Sequence, residues 1–200
     1  MTTVSTIPRG LFRAAAIVAS AALASTATLA MTAGPASAYA LHGCKVSSTT
    51  VQWTDGTGGG AYGTAAQSSA SAWQATSTPL LFSKVASGGH VGINIANYGN
   101  VSFDGITQKI SGGDPVCGGG GTWTTKLTAT WNTYHANAYS AAKKQSVMAH
   151  ELGHVLGIAH SGIGPCISVP LAYPTTDIRY DSCLINTPKA DDIAAANFIY

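Results

Sequence analysis

The stretch YSAAKKQSVMAHELGHVLGIAH, residues 139–160, decides the fold of this chain. Its apolar residues, at positions 147, 148, 152, 155 and 156, recur at intervals of three and four, which predicts one long amphipathic helix. Gly157 is expected to end that helix, because glycine readily adopts the left-handed backbone found at helix C-termini. His150, Glu151 and His154 therefore lie on the last turns of the central helix.

Short β-type segments and two further helices are predicted around this helix. Alternating apolar residues predict strands over residues 48–55, 79–85, 91–97, 103–111 and 125–133. The Ala-rich segment 61–76 predicts a helix, and the Gly-rich segment 112–121 predicts a loop. Residues 187–200 predict a final helix, with Thr187 as its cap and Pro188 at its first position. This order indicates a layered domain of the α/β (α+β) class.

Residues 1–38 have the composition of a secretory signal peptide. Arg9 and Arg13 precede an apolar run of small residues, and Ala36 and Ala38 form an A-x-A cleavage pattern. The alternative is a membrane anchor, but the run is rich in Ala, Ser and Thr and a cleavage pattern follows it. We therefore expect a signal peptide over residues 1–38, a single domain over 39–200, and a secreted protein.

Composition excludes several classes of partner for the mature chain. The whole chain has ten Lys and Arg against eight Asp and Glu, but two of the basic residues lie in the predicted signal peptide. The remaining charges balance, so nothing indicates nucleic acid or an anionic membrane as a partner. A monomer is expected.

The four cysteines, Cys44, Cys117, Cys166 and Cys183, favour two disulfides in an exported protein. Three pairings are possible. We favour Cys44 with Cys117 and Cys166 with Cys183, because the second pair closes a short loop just after the histidines. The absence of a C-x-x-C spacing argues against a zinc site built from cysteine.

The segment HELGHVLGIAH, residues 150–160, has the spacing of a zinc site. On a helix, His150 and His154 project from the same face about 6 Å apart and can hold one ion. His160 is too distant on a straight helix, but a sharp turn at Gly157 brings it back as a third ligand. Catalytic zinc keeps its fourth position for water, and Glu151 is placed to act on that water as a general base.

Glu151 is the only glutamate of the chain, which indicates a specific role for it. Two other interpretations of the segment are an ordinary helix with hydrogen-bonded histidines and a metal site without catalysis. A catalytic zinc site is favoured, because a purely structural metal site has no use for a base.

The same segment resembles the zinc signature of the metzincin metalloproteases, and in particular the small secreted bacterial matrixins. Residues 139–160 resemble the active-site helix of that family, FDGITQKIS its edge-strand region, and TPKADDIAAANFIY its closing helix. The resemblance implies a twisted, mostly parallel five-stranded sheet packed on the active-site helix, with substrate extended along the edge strand. By position, His150, His154 and His160 would bind one catalytic Zn²⁺ and Glu151 would be the catalytic base.

The chain departs from the matrixin pattern at two points. Metzincins place a methionine in a turn beneath the zinc, whereas Ala172 of PLAYP stands there. We expect zinc to bind nevertheless, in a somewhat less rigid site. Residues between 38 and the first strand leave little room for a propeptide, so any latency would need another source. In relatives this turn lines the pocket for the residue after the scissile bond, which makes Tyr173 and Pro174 candidate pocket residues.

The other polar candidates have more ordinary interpretations. His42, His90 and His135 are expected to be surface or hydrogen-bonded histidines rather than ligands. Asp104 and Asp114, in Gly-rich segments, are weak candidates for a Ca²⁺ site.

The sequence thus predicts a secreted zinc endopeptidase that hydrolyses peptide bonds of protein or peptide substrates through a zinc-bound water activated by Glu151. The alternatives are a secreted zinc-binding module of the same fold with little or no catalytic activity, and a zinc hydrolase of a non-protein amide. The sequence indicates neither the cleavage preference nor the natural substrate.

Overall fold

A mixed β-sheet forms the centre of this protein, whose computed structural model describes Met1 and residues 39–162, 166 and 170–200. Among these residues the sheet has five strands in the order β3-β2-β4-β6-β5. The strands are β2 (Thr50–Gly56), β3 (Leu81–Lys84), β4 (Val91–Ala96), β5 (Gly105–Lys109) and β6 (Leu127–Asn132). All neighbours are parallel except β5, which runs antiparallel to β6 at one edge. The predicted fold class is confirmed.

Two long helices cover one face of the sheet. They are α1 (Gly60–Gln74) and α3 (Ala141–Leu156), and they pack closely because α1 presents small buried residues such as Ala66 and Ser69. The Trp73 indole donates a hydrogen bond to the Ala149 carbonyl at 2.8 Å, and the Trp131 indole donates one to the Lys144 carbonyl at 3.0 Å. These buried rings fix α3 against both α1 and the sheet.

The ends of α3 follow from its sequence. The Ser140 hydroxyl caps the first turn by accepting a hydrogen bond from the Lys143 N–H at 3.2 Å. Gly157 ends the helix in the left-handed region, with φ 103°, as the sequence predicts. An added Cβ at Gly157 would overlap the carbonyl oxygen of Cys44, so glycine is required there for a second reason.

Several small elements are absent from the sequence-based prediction. Strand β1 (Ala40–Leu41) pairs antiparallel with β7 (Ile158–Ala159), which directly follows Gly157. A short helix, α2 (Thr133–Ala136), follows β6, and a π-helical segment covers Asp177–Ser182. Each is too short to leave a periodic pattern in the sequence.

The final helix, α4 (Ala190–Ile199), begins later than predicted. Thr187 is not its cap, and Pro188 is not its first residue. The Asp192 carboxylate instead accepts the Lys189 N–H at 2.8 Å, so the helix starts where this buried acid can satisfy the free backbone donor.

Both favoured disulfides are present, Cys44–Cys117 and Cys166–Cys183, and these pairings are confirmed. The predicted signal peptide lies outside the described residues apart from Met1. None of the helices among the described residues is long and apolar enough to cross a membrane.

Candidate active site

The three histidines of the HELGHVLGIAH segment converge on one point. Their Nε2 atoms are 3.1 Å apart for His150 and His154, 3.1 Å for His154 and His160, and 3.2 Å for His150 and His160. The first two project from adjacent turns of α3. His160 returns to them because Gly157 turns the chain into β7.

Hydrogen bonds at the far side of two rings orient the convergent nitrogens. His150 Nδ1 lies 2.8 Å from the Leu171 carbonyl oxygen, and His154 Nδ1 lies 2.8 Å from the Ile158 carbonyl oxygen. A carbonyl only accepts, so each Nδ1 carries the proton and each Nε2 presents a lone pair. With His160 Nε2 at the same separation, the three nitrogens have the arrangement of the donor set that zinc uses in catalytic sites.

Burial keeps these imidazoles neutral. It lowers the pKa of His150 well below its ordinary value, with a further contribution from the Arg179 charge, and it lowers the pKa of His154. Burial, followed by the charge of His154, lowers the pKa of His160 to about 4. Among the described residues, the three histidines are the one group of three or more side chains able to share a metal ion. Asp104 and Asp114 belong to no such group.

Glu151 lies beside the histidines with its side chain almost wholly enclosed, 4% exposed. The Thr107 hydroxyl, on edge strand β5, lies 2.8 Å from carboxylate oxygen Oε2. Burial raises the pKa of Glu151 to about 7, although the Thr107 hydrogen bond and the Arg179 charge lower it. The carboxyl group can therefore both accept and release a proton near neutral pH.

A cleft of about 970 Å³ opens over the histidines and Glu151. Strand β5 forms one wall, including Ile106 and Thr107, and the segment from Pro174 to Asp177 forms another. Of the two candidate pocket residues, Pro174 lines the cleft, whereas Tyr173 is buried in the hydrophobic core. The cleft is large enough to enclose several residues of an extended peptide.

Arg179 is a buried cation behind this wall, and no pattern in the sequence marks it. It is 1% exposed, and it donates hydrogen bonds to the Ser146 hydroxyl, the Tyr173 carbonyl and the Thr176 hydroxyl. All of these partners are neutral, and Arg179 forms no ion pair with the described residues. Arg179 thus ties the cleft wall to α3 one turn before His150.

The turn at Leu171 and Ala172 supports His150 from below. The Asp192 carboxylate accepts the backbone N–H of Leu171 at 2.7 Å and that of Ala172 at 2.9 Å. The Leu171 carbonyl then accepts the proton of His150 Nδ1. A chain of hydrogen bonds therefore runs from α4 through the turn to a candidate ligand.

His42 lies beside the candidate ligands but outside the group of three that could share a metal ion. Its Nε2 lies 3.4 Å from His154 Nδ1, and its ring lines the cleft. No local pattern of residues predicts this contact, because 112 residues separate the two histidines along the chain. The nitrogens of His90 and His135 bond to backbone groups, the Gln52 N–H and the Val101 carbonyl, as expected of hydrogen-bonded histidines.

One comparison with known proteins identifies a family for this chain. The matrixin family model, Peptidase_M10, matches residues 51–200. The matched range includes all the candidate site residues and the whole main sheet apart from Thr50, the first residue of β2. No curated protein matches the chain.

Proposed function

Because this chain belongs to the matrixin family of peptidases, we propose that it is a secreted zinc-dependent endopeptidase that hydrolyses peptide bonds of protein or peptide substrates. The observation that carries the proposal is the convergence of three histidine Nε2 atoms, each within 3.2 Å of the others, beside the buried Glu151. A structural zinc site needs no such base, and an ordinary helix needs no such convergence.

His150, His154 and His160 would hold the zinc ion through Nε2. When bound, zinc supplies a Lewis acid that polarises the substrate carbonyl and lowers the pKa of water. The protein contributes neutral imidazoles, since burial depresses their pKa values, and fixed ring orientations through Leu171 and Ile158. The metal site is thereby largely preformed.

Glu151 is the proposed general base and acid. Its carboxylate takes a proton from the attacking water and passes it to the amine that leaves. Water serves as the nucleophile in this mechanism, so no covalent intermediate with the protein forms. The enclosed position of Glu151 favours the transfer, because burial brings its pKa near neutral pH.

The substrate is proposed to lie extended along β5. Among the described strands, β5 pairs only with β6, so one edge of its backbone remains available to another chain. The wall beginning at Pro174 would contact the residue that follows the scissile bond. The pocket role of the buried Tyr173 would be indirect, through the shape of that wall.

The protein is proposed to be exported, with residues 1–38 acting as a removable signal peptide and residues 39–200 forming the mature domain. Two disulfides support an oxidising compartment, where such bonds persist. The mature domain is proposed to act as a monomer.

The test is to express residues 39–200 by secretion and to measure zinc content and the hydrolysis of casein and of cell-wall amides, with and without a chelator. The matched variant is Glu151→Gln, which keeps the shape of the side chain and removes the base. The proposal expects one zinc per chain in both proteins, and chelator-sensitive hydrolysis in the native protein alone. Zinc bound without hydrolysis of any protein would favour the binding-module alternative, and hydrolysis of cell-wall amides alone would favour the non-protein substrate.

A further inference from the structure

We propose that Thr107, together with the space left by Gly105, positions the carboxylate of Glu151 for proton transfer. The inference rests on the proposed function, in which Glu151 is the base. It assigns to the edge strand β5 a second role, distinct from holding the substrate.

The first support is the contact between β5 and α3. Side chains alternate along a strand, so Gly105 and Thr107 share the face of β5 that points towards α3. The Thr107 Oγ1 atom lies 2.8 Å from Oε2 of Glu151 and 3.0 Å from the Glu151 carbonyl oxygen. A hydroxyl has one hydrogen to donate, and a carboxylate oxygen is a stronger acceptor than a helix carbonyl that already accepts a backbone bond.

The second support is the glycine two residues earlier. A Cβ at position 105 would lie 2.8 Å from Oε1 of Glu151, 2.9 Å from its Cγ and 2.7 Å from Cγ1 of Val147. Any side chain at this position would force the Val147 side chain, the Glu151 side chain or both to move. Gly105 thus leaves the space in which Oε1 lies, while Thr107 holds Oε2.

The two contacts together distinguish the carboxylate oxygens. Oε2 is engaged by a donor from the protein, and Oε1 is left to exchange a proton with water or with the leaving amine. Since Glu151 is 4% exposed, bulk solvent contributes little to its orientation, and the hydroxyl of Thr107 becomes its main fixed partner. The position of the base is therefore set by the same strand whose free edge would align the scissile bond.

The test compares Thr107→Val, which removes the hydroxyl and keeps the branched shape, with Thr107→Ser, which keeps the hydroxyl. Thr128→Val is the matched control, because Thr128 lies on the neighbouring strand and its hydroxyl contacts the Gln108 carbonyl instead of Glu151. Thr107→Val is expected to lower kcat by about ten- to a hundredfold, the loss typical of a partner that orients a reactive group. KM should stay within about twofold, and Thr107→Ser should keep kcat within about threefold of the native value.

A second measurement does not depend on activity. Since Glu151 is the only glutamate, protein labelled with ¹³C-glutamate shows a single side-chain carboxyl resonance. At one fixed pH, with and without zinc, Thr107→Val should move this resonance, while Thr107→Ser and Thr128→Val should move it much less. Zinc content should be the same in all variants.

The inference is overturned if Thr107→Val keeps the native kcat and leaves the carboxyl resonance in place. It is also overturned if Thr107→Ser loses as much activity as Thr107→Val, since the methyl group and not the hydroxyl would then matter. A native protein without hydrolytic activity would refute the proposed function, and the carboxyl resonance would still decide whether Thr107 holds Glu151.

Discussion

Replacement of Asp192 by Asn tests how the last helix supports the candidate metal site. Asp192 is 1% exposed and accepts three backbone N–H groups: Oδ2 takes those of Leu171 and Lys189, at 2.7 and 2.8 Å, and Oδ1 takes that of Ala172, at 2.9 Å. The Leu171 carbonyl in turn orients His150. The substitution changes the atoms at the start of this chain of bonds without changing its shape.

The expected loss of stability follows from the hydrogen bonds that Asn can and cannot accept in place of Asp192. An Asn oxygen in the place of Oδ2 keeps two bonds in weaker, neutral form, and its NH₂ group then faces the Ala172 N–H, which loses its partner. A buried donor left unsatisfied costs about 1–3 kcal/mol, and a charge-assisted bond is roughly twice as strong as a neutral one. We expect the free energy of unfolding to fall by about 2–4 kcal/mol and zinc affinity to fall about ten- to a hundredfold.

Urea unfolding of the zinc-free protein measures the first quantity, and competition with a chelator measures the second. Both are measured at one fixed pH for all variants, because burial raises the pKa of Asp192 above its ordinary value. The control is Asp191→Asn, which removes the same charge from the same first turn of α4. Equal losses in the two variants would refute the reasoning, because the effect would then belong to the helix terminus and not to the turn.

Two further substitutions test the backbone and the electrostatics. Gly157→Ala should destabilise the protein by more than about 2 kcal/mol and weaken zinc binding, because it adds a Cβ both at positive φ and against the Cys44 carbonyl. The control is Gly43→Ala, which is also at positive φ but has open space around the added Cβ, so it should lower stability clearly less in thermal and urea unfolding. Equal losses of stability in the two variants would contradict the overlap at Gly157. Asp55→Asn should lower the free energy of unfolding by about 1 kcal/mol at neutral pH. This value is smaller than the pKa shift alone would give, because the Lys84 side chain is half exposed and solvent screens its charge. Burial raises the pKa of Asp55, but hydrogen bonds from the Lys84 ammonium and from the hydroxyl and backbone N–H of Thr57 outweigh burial and lower the pKa to about 2. The stabilisation is therefore fully present above about pH 4 and is lost as the pH falls through about 2, so a difference between variant and native protein that does not shrink between pH 4 and pH 2 would contradict this assignment.

The long elements of the fold could be predicted because their periodicity is local. The alternation of Val51 and Trp53 marks a buried strand, and the apolar spacing of residues 147–156 marks α3. Strands β1 and β7 could not be predicted, since two residues carry no period and their pairing joins distant parts of the chain. The predicted start of α4 was wrong because Thr187 and Pro188 suit a helix terminus locally. The actual start depends on the buried Asp192, which also bonds to the turn at Leu171.

The candidate site likewise contains residues that a local sequence pattern predicts and residues that it does not. The three histidines and the glutamate could be predicted from the sequence, because they lie within eleven residues and one helix and one turn bring them together. Thr107, Arg179 and Asp192 reach the site from β5, the π-helical segment and α4, and each is an unremarkable residue in its own sequence context. Their contribution depends on tertiary contacts, which a single sequence does not display.

Ala172 shows why the support of the site need not depend on a side chain. The Trp73 indole, Ala172 and His150 border a gap beneath the histidines that no water-sized sphere can enter. The contacts that orient His150 at this turn come from the backbone: the Leu171 carbonyl accepts from Nδ1, and the Leu171 and Ala172 N–H groups are held by Asp192. A methionine at this position would add apolar contact but none of these bonds. Replacement by alanine therefore leaves the orienting contacts in place, which is the physical reason to expect zinc to bind without the methionine.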